Sequence, residues 1–208
     1  MPLSEELCEF VGAVIGDGCT NRYGKIYQTQ IAGDKELDLD YHYYLCKLCE
    51  MLFNYSPKVI MRPSGIYFNL YSRALFELLT KRFNIPAGVK SYSVTIPQEI
   101  MRADELMLNA TLRGMFNTDG GVGVDRRSSY RKPYIRVNYS SASKALIEQV
   151  NEVLWRYSIP HSIHETNRRN FHHSQQIQIN GEKNVTLFLR KIGFSNPRHL
   201  SKVSHLLQ

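Results

Sequence analysis

This chain reads twice. Residues 7–18, LCEFVGAVIGDG, and residues 109–120, NATLRGMFNTDG, are both apolar runs of helical character closed by Asp-Gly, and the second Asp-Gly stands 102 positions after the first. An internal repeat on this scale fixes the architecture before any single element does, because each copy must fold as a similar unit. Strand-like segments follow each run, residues 26–31 (IYQTQI) and 134–139 (YIRVNY). Long amphipathic helices then start near Asp34 and near Ser143. They end in aromatic runs closed by Pro57 and Pro160, residues that cannot continue a helix. A strand pair comes next in each copy, residues 59–61 with 66–70, then 162–165 with 175–179. Short helices at 73–83 and 183–192 complete the copies. The unit is therefore α-β-β-α-β-β-α, written twice. The expected fold is α+β, with two half-domains at 1–96 and 105–208 related by a pseudo-twofold and joined by a linker at 97–104.

A four-stranded antiparallel sheet with its helices on one side leaves the other face bare, and the outward residues indicate what that face touches. Period-two alternation puts Gln28 and Gln30 on one side of their strand, and likewise Arg136 with Asn138 and Gln176 with Gln178 and Asn180. Arg62 and Asn69 join the first set. Such side chains make the bidentate hydrogen bonds that read purine edges in the major groove of DNA, and acidic residues are missing from these strands. An ordinary solvated face is the competing reading. The segments around Arg22 and Lys25, around Arg126, Arg127 and Arg131, and around Arg168 and Arg169 are basic tips suited to phosphate.

Glycines sit where a close neighbour needs them. Gly12 and Gly16 are four apart on one helical face, and Gly114 and Thr118 match them in the second copy. Two helices packed through these positions would place Asp17 and Asp119 side by side at their C-terminal ends, with Gly18 and Gly120 expected to adopt the left-handed conformation that stops a helix. Carboxylates are disfavoured there by the helix dipole and by each other. A divalent cation resolves both problems: Mg²⁺, or a similar ion such as Mn²⁺, takes hard oxygen ligands. The unsatisfied carbonyls of Gly16 and Thr118 could join Asp17 and Asp119 as ligands.

The two runs ending at Gly18 and Gly120 resemble the paired LAGLIDADG motifs of single-chain homing endonucleases, and the resemblance covers nearly the whole chain. It implies two motif helices at the interface between half-domains, two saddle-shaped sheets on DNA, and divalent metal on Asp17 and Asp119. Metal-activated water would hydrolyse one phosphodiester in each strand of a long double-stranded target. The family also places a basic residue in each half near the scissile phosphate, a role that points to Lys90 and Lys202 as further catalytic residues. Ala32-Gly33 departs from the pattern, since many members carry Gln or Lys at that strand end.

Charge agrees with a phosphate-rich partner. The net charge is +7 over 208 residues, and the first 103 residues hold 11 basic and 11 acidic side chains, so the second half carries the entire excess. No run approaches the roughly 18 apolar residues of a membrane span, and the first residues lack the pattern of a secretory signal, so an intracellular setting is expected. Cys46 and Cys49 lie within an apolar helical run and read as core, and disulfides are not expected. Alternatives from other classes are an RNA maturase acting on a structured intron RNA, a DNA-binding regulator without cleavage, an endonuclease domain from an intein, and a generic α+β domain. Met1 and the lack of flanking splicing blocks favour a free-standing protein over the intein reading. Because both motif helices are in one chain, it is expected to sediment as a monomer; a stable dimer by analytical ultracentrifugation would point to another use of the helix interface.

Overall fold

A computed structural model describes residues 1–127, 133–166 and 174–206. Helix α1 (Glu5–Ile15) starts where the Ser4 side chain accepts from the Leu7 amide at 3.2 Å, with Glu5 and Glu6 in the first turn where the helix dipole favours them. Strands β1 (Gly18–Tyr23) and β2 (Ile26–Gly33) follow, with Gly24 at φ 59 in the two-residue turn between them. Helix α2 (Leu39–Phe53) begins later than its periodicity predicts. Residues 35–38 form a turn instead, in which the Asp34 carboxylate accepts from the amides of Glu36 and Leu37. Then come β3 (Ile60–Arg62), β4 (Gly65–Tyr71), α3 (Arg73–Glu77) running on into a π-helical turn Leu78–Arg82, and a short α4 (Gln98–Met101).

The second half repeats the series: α5 (Glu105–Thr118), β5 (Gly120–Asp125), β6 (Tyr134–Ser141), α6 (Lys144–Arg156), β7 (Ser162–Thr166), β8 (Ser174–Asn180) and α7 (Glu182–Lys191). It ends in α8 (Pro197–Val203), a helix that sequence periodicity did not reveal. The two antiparallel sheets have the same order, β1-β2-β4-β3 and β5-β6-β8-β7. Register makes the repeat exact in space: Gly18 pairs with Ile31 as Gly120 pairs with Tyr139. Ile31, Phe68 and Leu70 point from the first sheet into the core, and Val137, Ile177 and Ile179 do so from the second.

The halves meet along α1 and α5. A Cβ added to Gly12 would stand 2.1 Å from the Thr111 carbonyl oxygen, and one on Gly114 would stand 2.1 Å from that of Glu9. Both distances are far inside van der Waals contact, so the two backbones touch only because neither position carries a side chain. Gly16 serves the same approach one turn later, where a Cβ would lie 1.9 Å from Thr118 Oγ1. Gly18 and Gly120 differ from expectation. Neither has positive φ; a Cβ there would instead strike its own preceding helix, 2.5 Å from Val14 Cα and 2.4 Å from the Phe116 carbonyl oxygen. Close approach, not handedness, requires glycine at these two places.

Each half also lends its last segment to the other. Ser143, the N-cap of α6, donates to the Val94 carbonyl at 2.7 Å. Gln149 on α6 holds both backbone groups of Ile96, at 2.7 and 3.0 Å. In return the Asn196 amide nitrogen donates to Asp38 ahead of α2 at 2.9 Å, and Arg198 pairs with the same carboxylate. Gly12→Ala and Gly114→Ala should each cost about 3 kcal/mol, the scale of overpacking, measured by chemical denaturation. Gly24→Ala, which meets nothing within 4 Å, should cost only about 1 kcal/mol for its left-handed backbone.

Candidate active site and nucleic-acid interface

Strand β1 leaves α1 at Asp17 and β5 leaves α5 at Asp119, so packing the helices brings the two aspartates together. The backbone equivalence is close: the Ala32 amide donates to the Asp17 carbonyl as the Ser140 amide donates to that of Asp119. A Cβ on Gly16 would lie 3.5 Å from Asp119 Cγ, which places the second carboxylate against the end of the first helix. Both line a cleft with Ile15, Gly16, Lys90, Ser91, Val94, Ser140, Ser141, Ala142 and Ser174. Asp17 opens to solvent at this cleft and Asp119 is half-buried.

Protein crowding around the carboxyls raises both acids. Asp119 is pushed up to about 7 by burial and then by the charge of Asp17, with Lys90 opposing. Asp17 is pushed up to about 6 by burial and then by Asp38, with Lys90 and Arg198 opposing. Burial lowers Lys90, and the two aspartates pull it back up. The cleft thus holds two costly negative charges and one half-buried ammonium beside them. That donor set fits a hard divalent cation, with Asp17 and Asp119 as its carboxylate ligands. Among the described residues no group of three or more His, Cys, Asp or Glu completes a metal cluster. Water or other oxygen donors would have to supply further ligands, as such cations commonly require.

Lys90 and Lys202 are placed differently. Lys90 reaches into the cleft and donates through Nζ to the carbonyls of both Ile15 and Gly16, where α1 ends. The Gly16 carbonyl, a candidate metal ligand, is thus already accepting from an ammonium. Lys202 lies on α8 and donates to the Val122 carbonyl of β5 at 3.2 Å, away from the residues lining the cleft. The spatial counterpart of Lys90 is Asn196. Asn196 donates to the carbonyl of Asn117, the residue 102 positions beyond Ile15. The carbonyls of Lys90 and Asn196 also each accept from amides three and four residues on. Sequence spacing missed this match, because the whole stretch from the aspartate is longer by four residues in the second half (77 from Asp119 to Asn196 against 73 from Asp17 to Lys90).

A second polar cluster, also invisible in the sequence, sits beside the helix pair. Glu9 is only 2% exposed and accepts from Arg113 Nε at 3.0 Å, from the Tyr44 hydroxyl at 3.0 Å and from Asn117 at 3.4 Å. The Asn117 side-chain oxygen accepts in turn from the amides of Ser195 and Asn196. Glu9 has no carboxylate counterpart, since the matching place on α5 is Thr111. The cysteines are free; Cys8 and Cys49 are buried, and burial raises the thiols of Cys8 and Cys46 to about 11.

On the bare faces the side chains fall where alternation put them. Gln28, Gln30 and Asn69 share one face of the first sheet, both glutamines donating to the Asn69 oxygen, at 2.7 and 3.0 Å. Arg62 lies over the Tyr67 ring on that face, 5.0 Å from its centroid. On the second sheet Asn138 pairs with Gln178 and Ser140 with Gln176, while Arg136 reaches Asp125. His164, opposite Gln176, joins this face and was not singled out in the sequence. Arg22 lies on the opposite, helix-bearing face of β1, paired with Tyr27. Lys25 is exposed in the hairpin turn, as is Arg126 beyond β5, and Arg127 pairs with Asp125. Arg131, Arg168 and Arg169 lie outside the described residues.

Residues 107–193 match the LAGLIDADG-like domain family. The chain is 32% identical over 99% of its length to part of the replication factor C small subunit of Methanocaldococcus jannaschii. It is 27% identical over 89% to part of a probable translation initiation factor IF-2 of Thermococcus kodakarensis, and 24% identical over 92% to part of the replicative DNA helicase DnaB of Rhodothermus marinus. It spans only 10%, 14% and 20% of these relatives. Among solved structures it is similar to the homing endonuclease I-DmoI in complex with DNA and Ca, with TM-score 0.68 and 16% identity over 99% of this chain and 100% of that one. It is also similar to the homing endonuclease I-WcaI bound to its DNA recognition sequence, with TM-score 0.61 and 17% identity over 100% and 88%. Full-length DUF199/WhiA from Thermatoga maritima matches with TM-score 0.58 and 14% identity over 100% and 62%. At these identities the structures establish a shared fold. Among the described residues no helix is long and apolar enough to cross a membrane.

An acid raised to about 7 loses stability as pH climbs. Below the unfolded value near 3.8 both states are neutral and the site costs nothing; above about 7 the folded state carries the full charge penalty. With EDTA present, Asp119→Asn should therefore stabilise the fold at pH 8 by about 2 kcal/mol, after allowance for solvent at the cleft. The gain should vanish near pH 4. Thermal denaturation across that range checks it, and a destabilised variant at pH 8 would contradict the charge repulsion.

Proposed function

We propose that this chain, whose residues 107–193 match the LAGLIDADG-like domain family and which shares the fold of the homing endonucleases I-DmoI and I-WcaI, is a site-specific endonuclease that breaks both strands of a long DNA target. The observation that carries this reading is the pairing of Asp17 and Asp119 at the end of the α1–α5 interface, between two bare faces rich in Gln, Asn and Arg. The relatives add support of another kind. A replication factor subunit, an initiation factor and a helicase share a segment of this length but little else in their names, which fits a segment whose activity is its own. Half-domains at 1–96 and 105–208 with a linker at 97–104 remain the covalent division in this proposal, and the protein acts as a monomer on duplex DNA.

In the proposed mechanism Asp17 and Asp119 would hold a divalent cation, Mg²⁺ or a similar ion, which supplies Lewis acidity toward the phosphate and an acidified water. Thr118 would offer a backbone oxygen. The rest is done by the protein's own groups. Lys90, fixed on the last carbonyls of α1, sets a positive charge where negative charge gathers on the phosphate. Ser140, half-buried in the cleft, presents a hydroxyl oxygen that accepts from Gln176 at 3.0 Å and can orient a water or phosphate oxygen. Its first-half counterpart, Ala32, cannot. The sheets hold the duplex in register over the cleft, through Gln28, Gln30, Arg62 and Asn69 on one side and Arg136, Asn138, Gln176 and Gln178 on the other.

A non-cleaving reading, as an RNA maturase or a DNA-binding regulator, draws on one observation, the fold match to WhiA. Cleavage of a randomised duplex library with Mg²⁺, against EDTA, decides between them. A narrow family of long sites should be cut, and Asp17→Asn/Asp119→Asn should abolish cutting while leaving retention of DNA within a few-fold. Lys90→Met should slow cutting by about 100-fold, the scale of removing one transition-state donor. Normal cutting by the double variant would retire the metal assignment, and retention of structured RNA or DNA without cutting would establish the non-cleaving reading.

A further inference from the structure

At the outer end of the first sheet the β1–β2 turn and the start of α3 form a pocket lined by Arg22, Lys25, Ile26, Tyr27, Tyr71, Ser72 and Arg73. Its charge arrangement is unusual. Arg22 and Arg73 both lie against the one ring of Tyr27, 5.2 and 5.8 Å from its centroid, so two guanidinium groups are kept close together by an aromatic surface. Arg22 donates through Nε to the Gly24 carbonyl and has no acidic partner among the described residues, and neither has Lys25. The one acid nearby, Glu77, is shared by Arg73 and Lys81 at 3.1 Å each. Cations gathered in this way repel unless an anion joins them.

We propose that this pocket binds a backbone phosphate of duplex DNA at the outer end of the first half-site, an assignment that rests on the DNA reading above. Position selects the ligand. Gln28 and Asn69 lie on the bare face, and cross-strand pairing places Tyr71 there with Gln28, so Tyr71 marks the rim. Arg22 and Tyr27 lie on the other face of the sheet and Arg73 follows β4 around its end. From below the rim these cations cannot reach base edges; they can meet the sugar–phosphate chain as it leaves the saddle. Among its described residues the second half lacks the device. At the places of Arg22 and Tyr27 it has Val124 and Ile135, which pair in the same register, and its neighbouring Arg127 and Arg136 are tied to Asp125. The half that is neutral by composition therefore carries a pocket in which Arg22 and Lys25 have no acidic partner among the described residues.

The test is the salt dependence of binding to a duplex of arbitrary sequence, combined with selection from a randomised library. Arg22→Gln/Arg73→Gln should flatten the slope of log K against log salt by about 1, near 0.9 for the one phosphate lost, and leave the selected bases unchanged. Arg22→Lys/Arg73→Lys should restore the slope. An unchanged slope in the Gln variant overturns the pocket alone, because wild-type binding then persists. A flattened slope with altered base preference overturns the backbone assignment in favour of base contact. Absence of salt-sensitive DNA binding by the wild type overturns the pocket together with the DNA reading.

Discussion

Two helix backbones in direct contact govern this molecule. At Gly12 against Thr111 and Gly114 against Glu9 there is no room for a single methyl group. Contact at this range makes the separation of the halves a fixed quantity set by main-chain atoms, with no side chain between them to reorient. Everything attached to the ends of α1 and α5 inherits that separation. Asp17 and Asp119 therefore stay close despite their repulsion, because parting them would require opening this backbone-to-backbone interface. An active site of two like charges needs such rigid support.

The same interface is symmetrical in backbone and asymmetrical in chemistry. Lys90 and Asn196 perform one structural task, satisfying carbonyls where a motif helix ends, but only one brings a charge. Asn196 is bound besides to Asp38, whose carboxylate also pairs with Arg198, so the second half keeps its cation at one remove from the cleft and paired. Buried Glu9 with Arg113 breaks the twofold again. Such a pair adds little net stability once desolvation is counted. Its geometry nevertheless distinguishes one helix from its near-copy and can fix which side each half presents.

What the sequence revealed follows the physics of each element. Period-two alternation exposed Gln28, Gln30, Asn138 and Gln178, because a strand sends neighbours to opposite faces whatever the tertiary context. The repeat exposed the helix pair and both aspartates, because small residues four apart have few uses on an apolar helix. Gly18 and Gly120 were found for the wrong reason, since left-handed turns and tight crossings both demand glycine and only coordinates separate them. Glu9 was not singled out, because its burial comes from Arg113 and Tyr44, 104 and 35 residues away. Asn196 escaped notice because Lys202 was the nearer match by residue type, while carbonyl geometry selects by position.

The rim of the first sheet shows why net charge is a poor guide to where a protein meets a polyanion. Composition assigns the entire positive excess to the second half, yet there Asp125 engages both Arg127 and Arg136 and reduces their availability. In the first half an equal count of acids and bases is distributed so that Arg22 and Lys25 stand clear of any carboxylate among the described residues. Paired charges are already compensated and gain little from a new partner; Arg22, without a carboxylate partner among the described residues and held beside Arg73 by the Tyr27 ring, gains more, since an incoming anion also relieves their mutual repulsion. The attraction a phosphate feels is thus set by the local geometry of Tyr27 and its two arginines, a property of the fold that no sum over the chain contains.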